Sequence, residues 1–224
     1  MMLSQIGRKP LSDKSIEREV YALSAGIGLG LVNLASDGKA HGLADLELDE
    51  RLIRLIEGGK TLQMPSSILS STFHQDSNKC SSVMESDIVN VHITAPPAII
   101  ALALIHLKSN NIDIANRIEI PNTFYKLEYL KPFLLLLKIL AKNLIMWDRI
   151  ECTQKWLYDQ IPEIISSIFQ NRISEVQNRY ASQIGADEID YSSIALSYLN
   201  ILAGGILALG FKYAGTANQV FIFN

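Results

Sequence analysis

A glycine string near the N-terminus is the first feature of this sequence that could do chemistry. Gly26, Gly28 and Gly30 alternate with Ile27 and Leu29, and glycine-rich turns can hold the phosphates of a dinucleotide. The spacing is GxGxG rather than GxGxxG, no strand precedes it, and no acidic residue follows about 20 residues later in a strand–helix–strand unit. We therefore interpret the glycines as small residues that let two helices approach closely, which must offset about 0.5–1 kcal/mol per glycine.

Carboxylates and histidines give no stronger sign of a reaction centre. Four carboxylates lie close together in the sequence: Asp45, Glu47, Asp49 and Glu50. They fall in a turn and in the first turn of a helix, where acids favour the helix dipole, so we expect a solvated helix start rather than an acid–base pair. Four histidines are scattered along the chain: His41, His74, His92 and His106. No two of them have metal-ligand spacing on one helix face, so we expect core or surface roles for them.

Composition argues against further classes of chemistry. Cys80 and Cys152 have neither a disulfide pattern nor metal-ligand spacing, which is typical of a reduced compartment. The net charge is −3 and the pI is about 5.8, whereas a nucleic-acid-binding domain needs a basic face. The sequence therefore predicts no catalytic residue, no metal, no cofactor, no small-molecule substrate and no nucleic-acid partner.

The segment that contains the glycine string recurs along the chain. Residues 21–35, YALSAGIGLGLVNLA, align with residues 198–215, YLNILAGGILALGFKYAG, when Leu29-Gly30 is placed on Leu209-Gly210. Residues 97–108, PAIIALALIHLK, fit the same frame with Ala98 on Ala25. The copies are separated by 73 and 107 residues, near multiples of about 36, a period of helical solenoids. A fourth apolar copy, LLLLKILAKNLI, falls at residues 134–145.

Such a repeat indicates a stacked array that holds other proteins rather than a pocket that carries out a reaction. Small side chains within the copies let helices cross closely. The predicted packing positions are Gly26, Gly28, Gly30, Ala98, Ala101, Gly204, Gly205 and Gly210.

The segments between the copies complete a mostly helical prediction. A helix starts near Ser15 and runs into the first copy, and a second helix carries one apolar face. That face is formed by Leu48, Leu52, Ile53 and Ile56. Val89, Val91 and Ile93 alternate with polar residues, which predicts a short strand that Pro96-Pro97 ends. Thr61 to Ser86 is polar without a period, which predicts an inserted, disordered loop.

We thus expect an all-α fold: a partial solenoid or toroid of helical-hairpin repeats over residues 1–224, with a short β segment and the inserted loop at residues 61–86. Trp147 and Trp156 have charged neighbours in Asp148 and Lys155. Aromatic residues of this kind are enriched at interface hot spots but serve equally as ordinary core, so these two are possible interface residues.

Three uncharged stretches leave a small polytopic membrane protein as an alternative from another class. They cover residues 20–36, 88–107 and 191–211, lengths that approach those of membrane-spanning helices. Pro96-Pro97 interrupts the second stretch, polar residues such as Asn33 and Asn200 interrupt the others, and the mean hydropathy is only +0.17. We expect no membrane insertion.

Five segments carry a resemblance to a known family. They are YALSAGIGLGLVNLA, VNVHITAPPAIIALALIHLKSNN, NTFYKLEYLKPFLLLLKILAKNLIMWD, KWLYDQIPEII and ILAGGILALGFKYAGTAN. In order and spacing they resemble the proteasome/cyclosome repeats of the largest scaffold subunit of the anaphase-promoting complex, over nearly the whole chain. The glycine-bearing segments alone are less specific, because two proteasome regulatory-particle subunits share them. A repeat segment of such a subunit is therefore a further alternative.

The resemblance implies a ring of paired helices that acts as a non-catalytic scaffold in a multisubunit ubiquitin ligase of mitosis. It implies contacts with cullin-like, RING and tetratricopeptide subunits, and a location in the nucleus and cytoplasm. It carries over the repeat glycines Gly26, Gly30, Gly204, Gly205 and Gly210 as packing positions only. The family protein is several times longer, so we expect this chain to be a fragment, a truncated gene model or a paralogue.

Overall fold

The computed structural model describes residues 2–7, 15–39, 47–58, 91–123, 127, 130–168 and 191–216. Within these ranges the regular elements are helical and no strand occurs, so the prediction of an all-α fold is confirmed. The helices are α1 (Met2–Ile6), α2 (Ser15–Val32), α3 (Leu48–Glu57), α4 (Val91–Ile105), α5 (Ile112–Arg117), α6 (Pro132–Ile145), a 3-10 turn (Trp147–Arg149), α7 (Gln154–Tyr158) and α8 (Tyr191–Tyr213). Residues 163–168 form a further helical turn. The loop predicted at residues 61–86 lies outside the described residues.

The chain divides into two compact units, Met1–Ser109 and Asn110–Asn224. In the first unit α2 packs against α1 and α4, and α3 packs against α4. In the second unit α8 packs mainly against α6 and also against α7, while α5 packs on α6. Each unit is therefore built around one pair of long apolar helices, and a single array over residues 1–224 stays a prediction.

Helix α3 follows from its sequence pattern. Its four apolar residues at helical spacing, Leu48, Leu52, Ile53 and Ile56, are all buried, as predicted. The helix ends at Gly58, whose φ of 73° lies in the left-handed region and whose N–H donates to the Arg54 carbonyl. A glycine adopts this conformation at little steric cost, and it is a common helix terminator.

The prediction of a short strand before Pro96-Pro97 is wrong, because this segment lies in helix α4. The helix is buried on both sides of the expected alternation: Ile93 and Thr94 are adjacent and both buried. A helix surrounded by apolar neighbours shows no amphipathic period, so β-branched residues that alternate by chance imitate a strand. The Thr94 hydroxyl donates to the Leu55 carbonyl at 2.7 Å, which ties α4 to α3.

The turns that follow α2, α4 and α8 repeat one backbone pattern. Each contains a residue with a left-handed φ: Ala35 at 54°, Lys108 at 60° and Gly215 at 73°. The residue after it donates its N–H to a carbonyl three residues back, in the pairs Ser36–Asn33, Ser109–His106 and Thr216–Tyr213. Ala35, Lys108 and Gly215 occupy the same place in the aligned copies. The repeated sequence therefore corresponds to a repeated helix ending.

A lysine near the end of α8 satisfies carbonyls that α6 and the 3-10 turn leave open. The Lys212 ammonium donates to the Ile150 carbonyl at 2.8 Å and to the Trp147 carbonyl at 3.0 Å. The last carbonyls of a helix have no partner within the helix. This contact therefore fixes the chain that leaves α6 against α8.

We expect Lys212→Met to lower the free energy of unfolding of the second unit by about 1.5 kcal/mol, since charge-assisted hydrogen bonds are lost while the aliphatic stem is kept. Urea unfolding followed by tryptophan fluorescence reports on this unit, because both tryptophans of the chain, Trp147 and Trp156, lie in it. Lys155→Met, at an exposed lysine of α7, is the matched control and should stay within about 0.5 kcal/mol of the parent. Equal midpoints for the two variants would contradict a capping role for Lys212.

Candidate functional site

Helices α2 and α4 cross at two glycines with almost no space between their backbones. A Cβ atom added to Gly26 would lie 2.7 Å from the carbonyl carbon of Pro97. A Cβ atom on Gly30 would lie 2.8 Å from the Cβ of Leu104 and 3.1 Å from the Cα of Ala101. Real Cβ atoms essentially never approach other atoms below 3.0 Å, so a larger residue at either glycine would push the helices apart.

A second crossing has the same character in the other unit. A Cβ atom on Gly204 would lie 2.6 Å from the Leu136 carbonyl oxygen and 3.0 Å from the Cβ of Ile139, so α8 meets the backbone of α6. A Cβ atom on Gly205 would lie 2.7 Å from the Cδ1 of Leu157 in α7. That second neighbour is the end of a flexible side chain, so Gly205 tolerates a substitution better than Gly26 does.

Two of the predicted glycines have no close neighbour of this kind. The atoms nearest to an added Cβ on Gly28 belong to the Met2 side chain at 3.6 Å, which is ordinary van der Waals contact. Nothing lies within 4 Å of an added Cβ on Gly210. Neither residue therefore marks a close helix crossing in this structure, and the sequence pattern could not separate them from Gly26 and Gly30. The two alanines of α4, Ala98 and Ala101, are fully buried.

The glycine string does not form a phosphate-binding loop. Gly26, Gly28 and Gly30 lie inside α2, where the N–H groups of a helix interior donate to its own carbonyls. Among the described residues, no group of three or more His, Cys, Asp or Glu could hold a metal ion. The residues that α2 offers to another molecule are therefore those on its outer surface.

The outer surfaces of α2 and α8 carry exposed apolar side chains. On α2 and the turn after it, five recur about every 3.5 residues: Val20, Leu23, Ile27, Leu31 and Leu34. On α8 the exposed apolar residues are Leu196, Leu199, Ile206, Leu207 and Phe211. We call the first set the α2 stripe and the second the α8 stripe. Contiguous exposed apolar surface of this kind is a mark of protein interaction sites.

The two stripes share positions in the repeat frame. When Leu29-Gly30 is placed on Leu209-Gly210, Ile27 aligns with Leu207 and Leu31 aligns with Phe211. The same alignment superposes the two helix endings. All four of these apolar side chains are exposed. The repeat thus specifies an outward apolar face as well as a helix.

A buried histidine links three segments of the first unit. The His106 side chain is 1% exposed and follows α4. Its Nδ1 lies 2.9 Å from an oxygen of Asp37, in the turn after α2, and its Nε2 lies 3.0 Å from an oxygen of Asp49 in α3. We call these three residues the histidine cluster.

The charges in this cluster favour the protonated ring. Burial alone lowers the pKa of His106, but the hydrogen bonds with Asp49 and Asp37 and the negative charges of both outweigh it, so the pKa is raised above its ordinary value. The expectation of ordinary roles for the four histidines, and of a solvated acidic cluster, missed this arrangement. His106 is 69 residues from Asp37 and 57 from Asp49, and no local spacing signals contacts of that range.

The two tryptophans take part in the interior of the second unit. Trp156 is 9% exposed and belongs to a buried cluster with Ile150, Leu157 and Leu209, while Trp147 packs against that cluster and is partly buried. Trp156 is therefore placed as a core residue rather than as a surface anchor. The Thr153 hydroxyl accepts from its N–H at 3.1 Å and caps α7.

One helix in the described part of the chain, Ser192–Tyr213, is long and apolar enough by length and composition to cross a membrane. A single helix of this kind is weak support for a membrane protein, because the core helix of a soluble protein passes the same test. Gly204 of this helix lies against the backbone of α6. The polytopic alternative would require several such helices.

Comparisons with known proteins give a consistent family. The family model described as the APC1 fifth domain matches residues 1–222. The anaphase-promoting complex subunit 1 of Arabidopsis thaliana is 37% identical over 96% of this chain and 12% of that protein. The subunits of the same name from Homo sapiens and Dictyostelium discoideum are 34% and 32% identical over 97% and 98% of this chain, and 11% and 12% of their own lengths. The chain thus spans about an eighth of the length of the curated relatives it matches.

We expect Gly26→Ala to lower the free energy of unfolding of the first unit by about 1–3 kcal/mol, because the added methyl group overlaps the backbone of Pro97. Gly210→Ala should instead raise that of the second unit by about 0.5–1 kcal/mol, since alanine favours the helix and the space is open. Urea unfolding followed by circular dichroism for the first variant and by tryptophan fluorescence for the second measures both changes. A stabilised Gly26→Ala variant would show that α2 and α4 do not cross as closely as described.

Proposed function

Because the chain belongs to the anaphase-promoting complex subunit 1 family, we propose that it is a non-catalytic scaffold segment of that multisubunit ubiquitin ligase. The observation that carries the proposal is the family match over residues 1–222. The same match favours this family over a proteasome regulatory-particle subunit, the alternative that the glycine-bearing segments left open. The proposed role is to hold other subunits in place while ubiquitin transfer in mitosis occurs elsewhere in the complex.

The described structure supports a role in binding rather than in catalysis. Helices α2 and α8 are held on their inner sides by glycine crossings and present apolar stripes on their outer sides. A scaffold needs a firm inner contact so that its outer surface keeps a fixed shape when partners bind. The α2 and α8 stripes supply exposed apolar area of the kind that neighbouring helices or subunits cover.

The proposed partners are the other subunits of the complex: the cullin-like and RING subunits and the tetratricopeptide subunits. We further propose that the protein works in the nucleus and cytoplasm, where the family resemblance places it. No cofactor or small-molecule substrate enters this proposal, because the surfaces on which it depends are apolar helix faces.

Affinity purification of the tagged chain from dividing cells, with mass spectrometry of what it retains, tests the proposal. We expect recovery of cullin-like, RING and tetratricopeptide subunits. Recovery of chaperones alone, from a chain that is helical by circular dichroism, would contradict the proposal that this segment holds other subunits.

Charged substitutions on the α2 stripe give a sharper version of this experiment. Ile27→Glu combined with Leu31→Glu should reduce recovery of the other subunits at least tenfold, since burying a charge in an apolar contact costs several kcal/mol. Both positions are exposed, so the melting temperature should change little. Asn116→Glu, at an exposed polar position of α5, adds a charge of the same kind and should leave recovery unchanged. Equal recovery for the double variant and the control would exclude the α2 stripe from assembly.

A further inference from the structure

We propose that the histidine cluster of Asp37, His106 and Asp49 is a proton-dependent latch, closed when His106 is doubly protonated and open when it is neutral. The latch joins the turn after α2, the first turn of α3 and the end of α4. This inference concerns the first unit alone and does not depend on the proposed scaffold role.

The positions of the two ring nitrogens carry the argument. Nδ1 lies 2.9 Å from a carboxylate oxygen of Asp37, and Nε2 lies 3.0 Å from a carboxylate oxygen of Asp49. A neutral imidazole has one N–H and one acceptor nitrogen, whereas ionised carboxylates only accept hydrogen bonds. Only the imidazolium can donate to both oxygens, and a neutral ring would turn a lone pair toward one of the carboxylates.

The charges around His106 alternate in sign. The turn after α2 contributes Asp37 and Lys39, whose ammonium lies 2.8 Å from the second oxygen of Asp37. Helix α3 contributes Asp49, and Lys108, on the same segment as His106, is exposed. Lys39, the imidazolium and the two carboxylates therefore sum to zero charge. Lys39 is 81% exposed, so it contributes little, and the imidazolium is the main compensating charge.

The direction of the pH effect follows from this arrangement. The pKa of His106 is raised above its ordinary value of 6.5, so the folded state holds the proton more tightly than the unfolded chain does. The stabilisation is fully present below pH 6.5 and is lost as the pH rises through the raised pKa. The latch therefore closes at acidic and neutral pH and opens toward alkaline pH.

Backbone hydrogen bonds beside the cluster show what the latch holds. The Ala35 N–H donates to the Leu104 carbonyl at 2.9 Å, and the Asp37 N–H donates to the Ile105 carbonyl at 3.0 Å. These bonds fasten the turn after α2 to the last carbonyls of α4. Loss of the imidazolium leaves Asp37 and Asp49 facing each other across a neutral ring, which favours release of the turn and of α3.

Nitrogen-15 NMR of the His106 ring tests the protonation state directly in the intact chain. We expect both ring nitrogens to carry protons at pH 7, with the transition to the neutral ring at higher pH. His106→Gln identifies the resonances, because His92 is the other histidine among the described residues. The spectrum of a neutral tautomer at pH 6.5 would overturn the proposal, and this measurement requires only the parent chain to fold.

Amide hydrogen exchange at Ala35 and Asp37 tests the opening of the latch. After correction for intrinsic exchange rates, we expect protection in the parent to fall as the pH rises above 6.5, by about tenfold for each unit by which the pKa is raised. In His106→Gln and Asp49→Asn the protection should be lower at pH 6 and should no longer depend on pH. Glu50→Gln, which removes an exposed carboxylate from the same turn of α3, should keep the parent profile. A parent profile in His106→Gln would contradict the latch.

Discussion

Backbone contact between paired helices is the constraint on which each unit depends. At Gly26 and Gly204 the neighbouring atoms belong to the main chain of the opposite helix, and main-chain atoms cannot rotate away as a side chain can. The closeness of the helices is therefore set by the absence of a Cβ atom and not by the choice of apolar side chains around it. The cost of glycine inside a helix, about 0.5–1 kcal/mol per residue, is offset by the additional contact that the approach allows.

The same approach determines where polar groups can be buried. Because α2 lies directly on α4, the turn after α2 reaches the last carbonyls of α4 and carries Asp37 to the ring of His106. Asp49 arrives from α3, which packs against the same helix. Burial of the imidazole is tolerable because both of its nitrogens have carboxylate partners; an unpaired buried charge would cost several kcal/mol. The packing of apolar helices thus creates an electrostatic arrangement that ties three described segments together.

Sequence periodicity predicted those features that depend on neighbours in sequence. The apolar face of α3 and its glycine end were predicted correctly, because they depend on residues within one helix. The strand before Pro97 was wrong, because a helix buried all round loses the period that identifies it. Gly30 and Gly210 occupy the same place in the repeat, yet only Gly30 has atoms near an added Cβ. That difference depends on which helix lies opposite, and no pattern within the copy records it.

The repeat frame explains why similar sequences have different surroundings. Leu31, Leu104 and Phe211 occupy equivalent positions in the three aligned copies. Leu31 and Phe211 are exposed, whereas Leu104 lies against Gly30 of the neighbouring helix. One repeat position is therefore either a surface side chain or a buried one, according to whether a glycine-bearing helix stands beside it. Because α2 and α8 each have both a glycine face and an apolar outer face, the sequence of each defines two contacts, and its stability depends on how many of them its neighbours complete.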